Sequence, residues 1–156
     1  RFAPGQLTRL SRSLAGARLG YAMASEGLID DLERVRGSFH PYNVNRLSLI
    51  AGVEAMKDSR YCEECVRAVV CQREETAREL KALGFAMTES LANFLFVRHP
   101  ALGGGAYYER LKQKGVLVRH FNQPRLEDYA RVSVGSKEQM RQLLLRTREI
   151  LAEVRA

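Results

Sequence analysis

Residues 59–84, SRYCEECVRAVVCQREETARELKALG, decide the reading of this chain. Cys62, Cys65, Val66, Val69, Ala77, Leu80 and Leu83 keep one apolar stripe at steps of three and four for about seven turns. Gly84 stands where a helix end wants a left-handed residue. The spacing therefore predicts one long amphipathic helix, with different patterns on either side of it. Downstream come short β-like runs at Phe85–Thr88 and Asn93–Val97, a flexible turn at Gly103, Gly104 and Gly105, and a helix from Ala106 to Lys114 closed by Gly115. Strands follow at Val116–Val118 and Ala130–Val134. Ser136 with Gln139 forms a capping box that opens a last helix, with Met140, Leu143, Leu144, Thr147, Leu151 and Val154 on one face. Upstream, Arg18–Ser25 reads as a strand running into a helix, Glu26–Arg36, with Leu28, Ile29, Leu32 and Val35 at helical spacing. Gly37 and Pro41 punctuate a joint at Ser38–Asn45, and a second helix runs through Leu47, Ile50, Ala51 and Met56. The fold class is α+β / α/β: the end of one domain, a connecting helix containing the boundary, and a complete small lobe of strands backed by helices.

Composition narrows the function. With 156 residues and 46% hydrophobic content, the chain can bury a real core, which excludes disordered and collagen-like classes. Twenty-five basic against eighteen acidic side chains leave a net charge of +7, which invites anionic partners. No uncharged stretch approaches the roughly 20 residues of a membrane span. The chain begins Arg-Phe-Ala-Pro-Gly, with no initiator methionine or signal design, which suggests a fragment or a processed chain. Three cysteines give no disulfide framework and point to a reducing, cytoplasmic compartment.

Several candidate sites reduce to structure. Cys62 and Cys65 form a C-x-x-C with Cys71 nearby, but no fourth zinc ligand is near in sequence, and thiols on an apolar helix face behave as small hydrophobes. No metal site is expected. His40, His99 and His120 lie in three separate segments; His120, after Arg119, is the most interesting, although a solvent-facing histidine is the simpler reading. Arg67, Arg73, Arg78 and Lys81 alternate with glutamates, as do Arg141, Arg146 and Arg148, giving solvated mixed faces rather than a nucleic-acid surface. Arg18, Arg119 and Arg131 stand apart, because each falls at the end of an expected strand. A guanidinium there offers forked donors to a phosphate or carboxylate.

The run Ser11-Arg12-Ser13-Leu14-Ala15-Gly16-Ala17-Arg18-Leu19-Gly20-Tyr21-Ala22 resembles the stretch after the cofactor lysine in fold type I pyridoxal-phosphate aminotransferases, and most of all histidinol-phosphate aminotransferase. Pro41-Tyr42-Asn43-Val44-Asn45 resembles that family's interdomain segment, and Leu91–Val97 its first clear small-domain strand. Gly115–Arg119 and Ala130–Gly135 resemble its substrate-side strands. The resemblance implies that residues 1–58 end a large PLP-binding domain, 59–84 form the connecting helix and 85–156 form the C-terminal small domain. It implies amino transfer between histidinol phosphate and 2-oxoglutarate, a step of histidine biosynthesis, with pyridoxal 5'-phosphate as electron sink. Arg18 would hold the cofactor phosphate, and Arg119 and Arg131 the anionic end of a phosphorylated amine or amino-acid substrate.

The departures are equally specific. The family's Schiff-base lysine falls eight residues before the arginine matching Arg18, and Leu10 stands there; Arg9, one residue off, stays protonated. Thr8 would have to take the role of the hydroxyl before that lysine, and the next lysine is Lys57. The family is also more than twice as long, and its N-terminal portion supplies most of the large domain. The chain alone is therefore expected to carry no catalytic residue and to be inactive. Leu14, Leu19, Tyr21 and Met23 are expected to be left exposed, favouring a homo-oligomer or an N-terminal partner chain. A threonine-phosphate decarboxylase, an aromatic aminotransferase, and a degenerate non-catalytic binding or assembly module are the alternatives.

Overall fold

A computed structural model of the chain describes residues 8–10 and 14–155. It falls into two compact units that part inside the long helix, between Glu64 and Cys65. The Ser11-Arg12-Ser13 start of the aminotransferase-like run lies outside the described residues.

In the first unit, β1 (Thr8–Leu10) pairs antiparallel with β2 (Tyr21–Met23), placing Leu10 across from Tyr21. The expected strand thus begins at Tyr21 and not at Arg18, because residues 15–18 form a turn closed by Arg18 N–H donating to Ala15 O at 3.1 Å. Helix α1 (Glu26–Phe39) runs through Gly37 instead of stopping at Arg36. One helical glycine costs only about 1 kcal/mol, and it is His40, constrained by the following Pro41, that leaves helical geometry. Helix α2 (Arg46–Lys57) starts at Asn45, whose Oδ1 accepts the Ser48 N–H at 2.8 Å. Ser48 is the one buried residue among those described in this unit; its hydroxyl donates to Ala17 O at 3.0 Å and ties the turn to α2. The apolar faces lie open: Phe39 is 89% and Leu47 78% exposed, with Val35, Ile50 and Val53 also exposed. The expectation of exposure at Leu14, Leu19 and Tyr21 is corrected, since all three are half-buried; of that set only Met23 is exposed.

Helix α3 (Ser59–Ala82) carries the stripe, but its burial is uneven. Cys62 and Cys65 are half-buried and Val66 is exposed, whereas Arg73, Thr76 and Leu80 are buried. Arg73 leaves the solvated face assigned to it, and its Nη1 donates to Ala92 O at 3.1 Å. Gly84, at φ +94°, closes the helix: Phe85 N–H reaches Leu80 O at 3.0 Å and Gly84 N–H reaches Lys81 O at 3.0 Å. A side chain other than glycine is strained in that conformation.

The second unit is built on a four-stranded antiparallel sheet. Its strands are β3 (Ala86–Met87), β4 (Phe94–Arg98), β5 (Arg119–His120) and β6 (Ala130–Ser133), ordered β3-β4-β6-β5. Strand alternation sends Leu95, Val97, Ala130 and Val132 to one face, where all are buried. Helices α4 (Gly104–Gln113) and α5 (Lys137–Arg155) add Tyr107, Leu111, Met140, Leu143, Ile150 and Leu151 to the same core. Each such side chain contributes about 1.5–3 kcal/mol. The expected capping box forms, with Gln139 Oε1 accepting Ser136 N–H at 2.8 Å and Ser136 Oγ accepting Gln139 N–H at 3.3 Å. Two expectations fail here. Gly103–Gly105 is no flexible turn: Gly103 caps α4, and a Cβ on buried Gly104 would sit 2.7 Å from the backbone of Glu127, Asp128 and Tyr129. Val116–Val118 is not a strand either. Leu117 is 77% exposed, and a cleft of about 410 Å³ opens between residues 115–118 and 132–135, so ladder pairing begins only at Arg119.

Candidate anion site on the open sheet face

The face of the sheet opposite the core gathers arginines and aromatic rings. The same alternation that buries Leu95 and Val97 puts Phe94, Phe96 and Arg98 on this face, and burial of Ala130 and Val132 puts Arg131 there. Arg119 and Arg131 are direct Cα partners across β5 and β6. Like charges directly opposite one another repel, and among the described residues neither arginine is paired with a carboxylate. Aromatic rings surround them instead. Arg119 Cζ lies over the Phe121 ring at 5.5 Å, and Arg131 Cζ lies 5.8 Å from the same ring and 5.5 Å from that of Phe94. The buried Nε of Arg131 has no hydrogen-bond partner among the described residues. Phe96 stacks on Tyr129 at 4.5 Å with the rings 4° from parallel, and Arg98 lies over Tyr129 at 5.7 Å. Sequence reasoning found the two arginines and missed these rings. The period of two in Phe94–Arg98 was the available signal, since it shares one face between Phe94, Phe96 and any outward residue of β6.

Arg18, in the first unit, is exposed and left-handed at φ +57°. That conformation is uncommon for a residue with a Cβ and costs of order 1–3 kcal/mol, the kind of local strain that clusters at functional sites. The structure thus brings Arg119 and Arg131 together, and Arg18 stands in its own turn.

His99 and His120 are tied into the packing of the second unit. His120 is half-buried, not solvent-facing; its Nε2 lies 2.8 Å from Glu127 O and its ring packs near Tyr108 and Gly105. His99 accepts Ala101 N–H at Nδ1 (3.2 Å) and packs its ring on Phe85 at 4.9 Å, while His40 is exposed after α1. Cys62, Cys65 and Cys71 are free thiols, Cys71 exposed. Among the described residues no three His, Cys, Asp or Glu side chains are grouped to hold a metal ion, and no helix is long and apolar enough to cross a membrane.

A cofactor bound through an imine needs a primary amine, and the donor set of the first unit does not fit one. Leu10 offers none, and the unit's single lysine, Lys57, pairs with Glu54 at 2.7 Å at the end of α2.

An antiparallel sheet backed by helices after a long helix fits the C-terminal part of a fold type I aminotransferase. Residues 11–146 match the family Aminotransferase class I and II, and the chain belongs to it. It is similar to histidinol-phosphate aminotransferase of Chromohalobacter salexigens, 45% identical over 86% of this chain and 38% of the relative. The same enzyme of Brachyspira hyodysenteriae is 45% identical over 83% and 37%. The crystal structure of histidinol-phosphate aminotransferase from Sinorhizobium meliloti in complex with pyridoxal-5'-phosphate superposes with a TM-score of 0.81 at 24% identity. That match covers 97% of this chain and 42% of the other and speaks to the fold. The chain spans about two-fifths of the length of the curated relatives it matches.

Proposed function

We propose that the chain is the C-terminal, substrate-anion portion of a histidinol-phosphate aminotransferase, acting in amino transfer between histidinol phosphate and 2-oxoglutarate. In this reading residues 1–58 end the large domain, 59–84 connect and 85–156 form the small domain. Arg119 and Arg131 hold the substrate's phosphate or carboxylate, and Arg18 holds the phosphate of pyridoxal 5'-phosphate. The observation that carries it is the cross-strand Arg119–Arg131 pair, with an Arg131 Nε–H left without an acceptor among the described residues. A guanidinium fork facing a phosphate or carboxylate is the strong, charge-assisted form of hydrogen bonding. Because Leu10 stands where the imine-forming amine is expected, the chain does not turn over by itself, and a second copy brings no amine there. The amine must come from an N-terminal partner chain, and cover for the open faces from that chain or a second copy. The open apolar faces of α1 and α2 support that need. Three free thiols fit a reducing cytoplasmic setting.

Titration of the chain with histidinol phosphate tests the reading. Saturable binding is expected, and Arg131→Leu should weaken it at least about tenfold, a loss of roughly 1.4 kcal/mol. Equal binding by the variant overturns the assignment. Borohydride treatment with added pyridoxal phosphate is expected to leave no adduct fixed at one lysine; such an adduct would mean that another lysine of the chain serves as the imine-forming amine. Leu10 also favours a second reading, a non-catalytic binding module, which predicts the same anion binding but no activity when an N-terminal half is supplied.

A further inference from the structure

We propose that Phe121 is the positioning residue that makes Arg119 and Arg131 one anion cradle. The inference rests on reading those arginines as ligands of the substrate anion, and it adds what holds two like charges in register. Direct partners on antiparallel strands bring their Cβ atoms to about 4.5–5.5 Å, so two guanidinium groups left to themselves turn apart into solvent. Here both lie over a single ring, at 5.5 and 5.8 Å from the Phe121 centroid. The negative face of the ring attracts each cation. A carboxylate in its place would occupy the forks; a ring leaves their N–H donors for a ligand.

The ring is itself held. Phe96 meets it edge-on at 6.3 Å and 64°, and Phe96 is stacked on Tyr129 at 4.5 Å. On the chain's other side, His120 is fastened to Glu127 O at 2.8 Å, which fixes the backbone between Arg119 and Phe121. Arg98, over Tyr129 alone, has no arginine partner and serves as an internal control.

The experiment is a titration of the whole chain with inorganic phosphate, following the arginine Nε–Hε resonances by NMR in wild type, Phe121→Leu and Phe121→Tyr. In wild type the Arg119 and Arg131 signals should move together with one dissociation constant, while Arg98 stays still. Phe121→Leu keeps apolar bulk without a π face; it should weaken phosphate binding about five- to tenfold and let the two signals titrate separately. Phe121→Tyr should restore joint movement. If Phe121→Leu loses its cooperative thermal transition, Phe121→Met carries the same comparison. Unchanged affinity and coupling in the leucine or methionine variant overturns the role of Phe121 and leaves the anion site standing, as does failure of tyrosine to rescue in a folded protein. No response of either arginine in wild type overturns the anion site itself, and this inference with it.

Discussion

The two units use similar helices to opposite effect. Residues 65–156 bury thirteen apolar side chains around one sheet, whereas the described part of residues 1–64 buries a single serine. Helices α1, α2 and α5 are all amphipathic or apolar on one side, yet Ile150 of α5 is 0% exposed while Leu47 of α2 is 78% exposed. The comparison separates pattern from stability. A helix of twelve to fourteen residues is marginal in water unless its apolar face is covered, so α1 and α2 depend on cover that the second unit already has.

The largest test of that contrast is a pair of truncations. Leu111→Ala should cost about 2–5 kcal/mol in urea denaturation, because Leu111 is fully buried and a cavity follows. Leu47→Ala should stay within about 0.5 kcal/mol. Equal losses would mean that the first unit has its own core.

A pH series sharpens the same point. Tyr107 is buried, donates to Thr147 Oγ1 at 2.8 Å, and burial pushes its hydroxyl from 10.0 up to about 12. Thr147 in turn donates to Leu143 O at 2.7 Å. Stability held by neutral Tyr107 is complete below pH 10 and is lost as pH rises toward about 12, when the unfolded chain ionises first. The loss approaches about 3 kcal/mol, at roughly 1.4 kcal/mol per pKa unit. Tyr107→Phe should abolish this alkaline decline, at a cost of about 1 kcal/mol at neutral pH; melting curves from pH 8 to about 12 would read both effects.

The smallest effects come from glycines of opposite sign. Gly104→Ala forces a methyl against backbone at 2.7 Å and should destabilise by about 1–3 kcal/mol. Gly37→Ala meets nothing within 4 Å inside α1 and should stabilise that helix by about 0.5–1 kcal/mol, visible as greater helicity and slower amide exchange there. Destabilisation by Gly37→Ala would mean that the open side of α1 is already covered.

Local rules carried the sequence reading furthest where they act within a few residues. The capping box at Ser136, the helix stop at Gly84 and the face of Met140, Leu143, Thr147 and Leu151 all stand as read, because each depends on spacing along a single helix. The same rules failed at Val116–Val118, which has strand composition but no ladder partner, and at Gly103–Gly105, where glycine composition was read as freedom. Close packing against residues 127–129 is a non-local fact, and no pattern in those three glycines announces it.

By itself, the sequence determined the five helices and their order, the α+β class, the three arginines and the lack of an amine at Leu10, since chemical identity and helical period are properties of the chain. Only the tertiary structure decided that Arg119 faces Arg131, that Phe121 serves both, and that His120 turns to Glu127. Those depend on strand register, where one residue of slip would send each side chain to the other face of the sheet.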